Sequence, residues 1–339
     1  MPEIVTILEL LEASILHTLE KAVEGRNRDV FFIECTTRNL LETLARATID
    51  GDRGSLVLQL NQRGRSPESA LPLVPTRAPE EHAPVRVEVP HLEHDCGYGG
   101  LDPEAGEYVI VLRDGEATPA PWINVFANEG GFGGLVSEAG IGCSWLHNSH
   151  ENRITTWNND AVSDGSGEAV YVRDDETGEV WCPTALPVRS PGEYLVRHGR
   201  GYTSFLHGTH GVSHEMTVFV PPDDPLRVAT VSLTNTGDRR RVLTVTQYLE
   251  WALGSSRRAA QQRVVTWYDA ETALLTAHNH YNRDFPGLTA FVASDRPTES
   301  YTGSRGEFIG WTGTPAAPEG LGRSRLGALS GRFQDSCGA

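Results

Sequence analysis

The 339 residues carry 45 acidic against 29 basic side chains, and the resulting formal net charge of −16 disfavours nucleic acid as a partner, because it repels phosphate. The 35 glycines and 20 prolines favour turns over long helices, and a 39% hydrophobic fraction is enough for a packed core. No apolar run of about 18 residues, no basic leader and five widely spaced cysteines together predict a cytoplasmic protein with reduced thiols and no transmembrane segment or signal peptide.

The first ninety residues differ from the rest of the chain. Apolar residues recur at helical spacing between Ile4 and Leu19 and again between Leu40 and Ala45. Residues 61–90 then hold six prolines among charged and polar residues without periodicity. We therefore predict a short helical extension over 1–60 and a Pro-rich linker without packed structure over 61–90.

From about residue 96 the hydrophobic period changes to two, which is typical of strands. Strands are predicted at 107–113, 122–127, 132–138, 168–174, 193–198, 201–207, 212–220, 226–235, 240–253, 262–269, 272–278 and 287–293. The runs DDETGE (174–179) and TNTGD (234–238) contain glycine between apolar segments, so each predicts a hairpin. Many strands without long helices between them predict a mainly β fold, a large antiparallel β-sandwich over 91–339.

The turn from Asn148 to Ser166 concentrates polar groups that suit a sugar, which shows C–H groups on its face and hydroxyls around its edge. Trp157 could stack on that face. Planar hydrogen bonds to the hydroxyls could come from Asn152, Arg153, Asn158, Asn159, Asp160 and Asp164. The alternative is a self-bonded loop whose Asn and Asp side chains satisfy backbone groups.

A second candidate site lies at 248–263. A strand containing Tyr248, Glu250 and Trp251 breaks at Gly254, and a polar and basic run follows it. That run contains Arg257, Arg258, Gln261, Gln262 and Arg263. The alternative is a basic turn that only solubilises the edge of a sheet.

Acids and metal ligands give weaker signals. Glycoside chemistry normally uses two carboxylates, and the candidates are Glu138, Glu151, Asp160, Asp164, Glu215 and Glu250. The sequence places no two of them across a glycosidic bond, and the alternative is a set of structural acids. His91, His94 and Cys96 could begin a zinc site, but a fourth ligand and the usual spacing are missing. We therefore predict no metal site and no bound cofactor.

Seven runs, in the same order as in a known family, cover roughly two-thirds of the chain. They are GYGGLDPEAGEYVI (97–110), PAPWINVFAN (119–128), GGLVSEAG (133–140), the loop 148–166, RHGRGYT (197–203), EMTVFVPP (215–222) and YLEWALG (248–254). In these runs the chain resembles the inverting disaccharide phosphorylases of glycoside hydrolase family 94, such as cellobiose and chitobiose phosphorylase. Within that group it is most similar to the phosphorylase-like region of cyclic β-1,2-glucan synthases.

The resemblance implies that 91–339 is an N-terminal β-supersandwich, incomplete at its C-terminal end. In that family an (α/α)6 barrel follows and holds the catalytic Asp and the phosphate pocket, and inorganic phosphate is the co-substrate that cleaves β-glucosidic bonds with inversion. A loop with a Gln-Arg pair, matched here by Gln262 and Arg263, reaches toward the neighbouring subunit, which implies a homodimer. A membrane-bound synthase with this part in the cytoplasm also fits.

Three functional hypotheses follow. The favoured one is a portion that binds β-glucan or a gluco-oligosaccharide, docks the barrel, pairs subunits and is inactive alone. The second is a self-contained glycoside-active enzyme with its carboxylates in the sandwich. The third is a non-catalytic interaction module that recruits a separate catalytic chain.

Overall fold

The computed structural model describes residues 71–83, 85–113, 115–157, 167–261, 263–310, 312–331 and 335–339. The helical extension predicted for 1–60 lies outside these residues, as do the predicted site residues Asn158, Asn159, Asp160 and Gln262. The described residues all fall within one compact unit, which runs from Pro67 to Ala339.

Strands dominate the described residues, in agreement with the predicted fold class. In chain order they are β1 (Gly99–Asp102), β2 (Glu107–Leu112), β3 (Ile123–Ala127), β4 (Phe132–Ser137), β5 (Gly142–Leu146), β6 (Arg153–Thr155), β7 (Glu168–Asp174), β8 (Val180–Trp181), β9 (Tyr194–His198), β10 (Tyr202–Thr209), β11 (Val212–Phe219), β12 (Val228–Asn235), β13 (Leu243–Gly254), β14 (Val264–Asp269), β15 (Leu274–Asn279), β16 (Thr289–Val292) and β17 (Cys337–Gly338). Each of the twelve predicted strands overlaps one of them. The short strands β1, β5, β6, β8 and β17 were not predicted.

The strands form three antiparallel sheets. One has six strands in the order β1-β2-β9-β10-β11-β12, and a second has the order β3-β4-β5-β6-β13-β7-β8 with β17 also paired to β13. The third is the sheet β14-β15-β16. Two one-turn helices, α1 (Arg257–Ala260) and α2 (Arg305–Phe308), lie between strands. Among the residues described, no helix combines the length and the hydropathy that crossing a membrane requires.

The main core lies between the six-stranded and the eight-stranded sheets. The first sheet contributes residues such as Ile110, Val196 and Phe205, and the second contributes Phe126 and Val136. The two inner faces therefore pack as a sandwich, which the period-two pattern predicts.

β7 is buried on both faces, unlike strands that have one face in water. Val170 belongs to the sandwich core, whereas its neighbour Tyr171 packs on the other side against Phe308, Ile309 and Leu321. Successive side chains of a strand point to opposite faces, so the C-terminal segment that carries Phe308 covers the outer face of this sheet.

The two predicted hairpins have different outcomes. DDETGE is confirmed, because Val172 and Arg173 of β7 pair with Trp181 and Val180 of β8. TNTGD is not a hairpin, because β12 and β13, on either side of it, belong to different sheets. A Gly-containing turn reverses the chain locally, and the same residues serve a connection that crosses from one sheet to the other.

The described part of 61–90 is extended and attached to the sandwich. Leu73 N donates to Gly322 O at 2.8 Å, and Thr76 N donates to Glu176 O at 2.8 Å. Val87 packs with the buried Val109 of the six-stranded sheet. Backbone hydrogen bonds thus hold the described part of this segment, where few apolar side chains are available, although it is mostly exposed and forms no helix or strand. The Pro-rich linker over 61–90 stays a prediction. The domain boundary itself stays a prediction.

Candidate functional site

The two polar segments that the sequence singles out meet at one end of the eight-stranded sheet. Arg153 of β6 pairs with Gly254 at the end of β13. Asn282 connects the two segments: its Nδ2 donates to Asn152 Oδ1 at 3.1 Å and lies 3.5 Å from Leu253 O. Two parts of the chain about a hundred residues apart in the sequence are thereby held side by side.

An open groove with a volume of about 420 Å³ lies at this junction. We call it the β13 groove; its lining is Glu151, Leu253, Gly254, Ser255, Ser256, Ala259, Ala260, Arg263, Asn279, Tyr281, Asn282, Arg283 and Asp284. Carboxylate, guanidinium, amide and hydroxyl groups therefore surround one cavity, and such groups can both donate to and accept from the hydroxyls of a ligand.

The helix α1 forms one wall of the groove and positions Arg263. Ser256 caps the helix, since its side chain accepts a hydrogen bond from Ala259 N at 3.3 Å. Arg263 N then donates to Ala260 O at 2.7 Å, which turns the chain into β14. The exposed Arg263 guanidinium carbon lies 5.2 Å from the centre of the Tyr281 ring, a cation–π contact.

Arg153 and Trp157 lie beside the groove and are not part of its lining. Arg153 Nε donates to Ser149 O at 2.9 Å, and its other guanidinium group donates to Trp157 O. Asn148 Oδ1 accepts from the backbone N–H groups of His150 and Glu151, each at 2.9 Å. The first half of the loop is thus self-bonded, as the alternative interpretation expects, while the Trp157 side chain stays half-buried.

The groove contains residues that the sequence reasoning missed. Asn279 and the run from Tyr281 to Asp284 line it, and Asn279 Nδ2 also donates to Leu253 O at 2.9 Å. The available signal was the polar run NHYNRD (279–284) directly after a strand, with no apolar period of its own. This run predicts a loop, but it does not reveal which other segment of the chain that loop lies against.

Two of the candidate acids are held by structural contacts. The carboxylate of the buried Glu138 accepts from Thr118 Oγ1 and from Trp122 N at 2.7 Å, and burial raises its pKa. Glu250 accepts from Tyr248 Oη and from Arg305 Nε, both at 2.7 Å. Neither residue lines the β13 groove. Of the other candidates, Glu151 lines the groove, Glu215 is exposed on β11, and Asp160 and Asp164 lie outside the described residues.

Cys96, one of the three residues considered as zinc ligands, makes other contacts. Cys96 Sγ donates to Gly99 O at 3.3 Å and lies 3.6 Å from Tyr108 Oη. Within the described ranges, no group of three or more His, Cys, Asp or Glu side chains is placed to hold a metal ion.

Comparison with known proteins places this chain in a family. The family model described as "Glycosyl hydrolase 94, supersandwich domain" matches residues 106–339. That range includes the strands from β2 to β17 and all the residues that line the β13 groove.

Three relatives cover much of this chain but little of their own length. Cyclic β-(1,2)-glucan synthase NdvB of Rhizobium meliloti (strain 1021) is 35% identical over 314 residues, 92% of this chain and 11% of NdvB. N,N′-diacetylchitobiose phosphorylase of Vibrio furnissii is 31% identical over 253 residues, 71% of this chain and 31% of the enzyme. Solabiose phosphorylase of Paenibacillus borealis is 30% identical over 257 residues, 72% of this chain and 32% of the enzyme. The chain belongs to glycoside hydrolase family 94, of which it carries the supersandwich domain.

Proposed function

We propose that this chain is the carbohydrate-binding, barrel-docking and subunit-pairing part of a β-glucan phosphorylase or of a cyclic β-1,2-glucan synthase-like glycosyltransferase. The observation that carries the proposal is the β13 groove, where the two polar segments marked by the sequence come together. The relatives are named as a cyclic β-(1,2)-glucan synthase and as phosphorylases of diacetylchitobiose and solabiose, so a carbohydrate of linked sugar units is the ligand class that these names share.

The chemistry of the groove suits that ligand. Its volume of about 420 Å³ falls in the range of roughly 300–1,000 Å³ that small-ligand sites occupy. Amide and guanidinium groups such as those of Asn282 and Arg263 form directed bonds with vicinal hydroxyls. The half-buried Trp157 ring lies on the adjoining loop, where it can cover the apolar face of a pyranose.

We further propose that the chain alone catalyses nothing. Inverting glycoside transfer needs a carboxylic acid that protonates the leaving oxygen, whereas the Glu138 and Glu250 carboxylates are occupied by neighbouring donors. The chain spans between 11% and 32% of the relatives named above. We assign the acid and the site for inorganic phosphate to an (α/α)6 barrel, which the sandwich would dock, and the pairing of subunits to a homodimer.

Binding and catalysis can be tested on the same samples. We expect the 339-residue chain to bind linear β-1,2-gluco-oligosaccharides in titration calorimetry and to release no glucose 1-phosphate from them when phosphate is added. Trp157→Ala should weaken binding about tenfold without lowering the urea midpoint. The matched control Trp157→Phe keeps an aromatic face and should retain most of the affinity.

Each contrary result identifies a different error. If Trp157 anchors the core, its replacement by alanine costs about 3–5 kcal/mol, and the variant unfolds early in denaturant. Unchanged affinity and an unchanged midpoint would remove Trp157 from the site. Release of glucose 1-phosphate by the chain alone would refute the proposed lack of activity and favour a self-contained enzyme.

A further inference from the structure

The three-stranded sheet β14-β15-β16 has one face packed on the molecule and one face in solvent. The packed face is buried at Val264, Thr266, Leu275 and Ala277. It is also fixed where the Tyr268 ring stacks on Tyr301, with centroids 3.8 Å apart. The backbone of this sheet is therefore held in place. The side chains on its other face are attached to that fixed backbone.

The solvent face carries two large aromatic side chains. Trp267 is 68% exposed and Phe291 is 48% exposed, and each pairs in register with Thr276 between them. Neighbouring strands lie about 4.8 Å apart, so the two rings stand roughly 10 Å from each other across the sheet. The next row along the sheet pairs Val265, His278 and Thr289. We call these six residues the Trp267 face.

The polar groups on this face are hydroxyl and imidazole groups placed between and beside the rings. His278 Nδ1 lies 3.3 Å from Thr289 Oγ1, and Thr276 Oγ1 donates to Trp267 O at 3.0 Å. None of the six residues is Asp, Glu, Lys or Arg, and the charged residues on the same side of β14, Arg263 and Asp269, lie at its two ends. Aromatic faces next to hydroxyl and imidazole groups match a ligand that has both apolar faces and hydroxyl edges.

The size of the face also argues for a small or linear ligand. Two aromatic rings bury roughly 300–500 Å² when they are fully covered. A stable protein–protein interface needs about 800 Å² from each partner. The two rings alone therefore supply less area than an interface with a second copy of the chain needs, but enough for one or two sugar rings.

The Trp267 face is continuous with the β13 groove. Arg263 lines the groove directly before β14, and Val265 and Trp267 follow it at intervals of two residues, the spacing of side chains on one face of a strand. Arg263 and Trp267 are both exposed. A ligand that leaves the groove past Arg263 thus meets Val265 and then Trp267.

We propose that the Trp267 face is a second β-glucan contact surface, over which a chain of several sugar units extends from the β13 groove. This inference rests on the proposed function, because the groove supplies the first contact. It adds that the ligand is an oligosaccharide long enough to reach both surfaces, and that affinity rises with chain length until the Trp267 face is occupied.

The test compares short and long ligands on the 339-residue chain. Affinities for a β-1,2-linked glucose disaccharide and for linear oligosaccharides of increasing length are measured by titration calorimetry. Trp267→Ala should weaken the binding of long oligosaccharides about tenfold and leave the disaccharide affinity unchanged. Phe291→Ala, on a different strand, applies the same test if the first variant fails to fold. The matched control is Val242→Ala, at a 53% exposed valine outside the face.

The outcomes separate this inference from the proposed function. If Trp157→Ala weakens binding but Trp267→Ala and Phe291→Ala change no affinity at any length, the Trp267 face is not a glucan surface and the groove remains one. If the wild-type chain binds no oligosaccharide, both proposals fail. If the wild type is a dimer and Trp267→Ala makes it monomeric without altering affinity, the face is an interface between copies and the inference is overturned.

Discussion

The interior of the sandwich and the β13 groove contain the same kinds of polar side chain, which are buried in the interior and exposed in the groove. In the interior, Glu168 pairs with Arg227, and their side chains are only 4% and 12% exposed. In the groove, Arg263 is exposed and its guanidinium lies over the face of a tyrosine ring. Burial, and not residue type, thus separates the polar groups that hold the fold from those left available to a ligand.

Buried histidines in a row of stacked rings also serve the fold and are not available to a ligand. Tyr194 stacks on His207 with centroids 3.7 Å apart, and His207 lies 5.7 Å from His214. Trp181 Nε1 donates to His214 Nε2, so the neutral His214 carries its proton on Nδ1 and donates it to His207 O at 3.1 Å. These imidazoles act as neutral parts of the core, whereas His278 on the Trp267 face is partly exposed.

The largest effect should follow from breaking the buried ion pair. Glu168→Gln keeps the shape of the side chain but leaves the Arg227 guanidinium without its partner. Burial lowers the pKa of Arg227 to about 10, which reflects the cost of holding that charge away from water. Removing one member of a buried pair costs about 3–5 kcal/mol, so the urea midpoint should fall steeply. The control Glu151→Gln, at the exposed groove carboxylate, should leave the midpoint unchanged, and equal midpoints for both variants would contradict the comparison.

The buried histidines predict a loss of stability in mild acid. Burial lowers the pKa of His207 and of His214, each to about 4, against about 6.5 in the unfolded chain. Between these values the unfolded state binds more protons, so the free energy of unfolding is highest above pH 6.5 and falls as the pH drops toward 4. Each histidine contributes a slope of about 1.4 kcal/mol per pH unit inside this window. His210 acts in the same direction, because burial lowers its pKa beside Glu179.

Urea midpoints measured between pH 7.5 and 5 check this dependence. The carboxylates Asp102, Asp174 and Asp269 have lowered pKa values and therefore lose their contribution only below this window. His214→Gln should remove only the contribution of one imidazole to the slope, since His198, His207 and His210, whose pKa values burial also lowers, still titrate. A midpoint that stays flat over the whole range would show that these imidazoles are hydrated in solution.

The sequence was sufficient to predict twelve of the strands, but not the five short ones and not which strands pair with each other. Period-two runs such as 212–220 predict β11 well, because one face of that strand is buried and the other is not. β5 was not predicted because its residues GCSWL alternate in neither size nor polarity. β8 was not predicted because a strand of two residues is too short to show a period. The TNTGD turn was misassigned because local turn chemistry does not reveal which sheet the next strand joins.

The candidate site shows the same division. The polar segments around Arg153 and Arg263 were found from composition, but their meeting depends on Asn282, whose partner Asn152 is 130 residues away. No local pattern encodes that contact, since it arises from β6 pairing with the far end of β13. The exposed face of the three-stranded sheet was equally invisible, because Trp267 lies in a run that reads as an ordinary buried strand.

A moderate effect is expected where the two segments of the groove are joined. Asn282→Ala removes the bond to Asn152 Oδ1 and also the acceptor of Phe285 N, a bond of 3.1 Å. Leaving partly buried polar groups unpaired costs about 1–3 kcal/mol, and the groove should loosen, so glucan affinity should fall together with the midpoint. Ser255→Ala, at an exposed position of the same groove, should leave the midpoint unchanged. If the affinity falls while the urea midpoint stays at the wild-type value, Asn282 contacts the ligand directly.

The smallest effect on stability is expected at Arg263. Its side chain is exposed and has a ring contact with Tyr281, so Arg263→Gln should change the free energy of unfolding by less than about 0.5 kcal/mol. Because Arg263 lies where the groove meets the Trp267 face, long oligosaccharides should nevertheless bind several-fold more weakly to the variant. Arg263→Lys keeps the charge over the ring but loses the planar fork of donors, so it should bind with intermediate affinity. Arg296→Gln removes a cation that is 87% exposed elsewhere on the chain and serves as the matched control. Equal losses of affinity in the Arg263 and Arg296 variants would reduce the role of Arg263 to net charge, whereas a loss confined to Arg263 would place the ligand at the point where the two surfaces join.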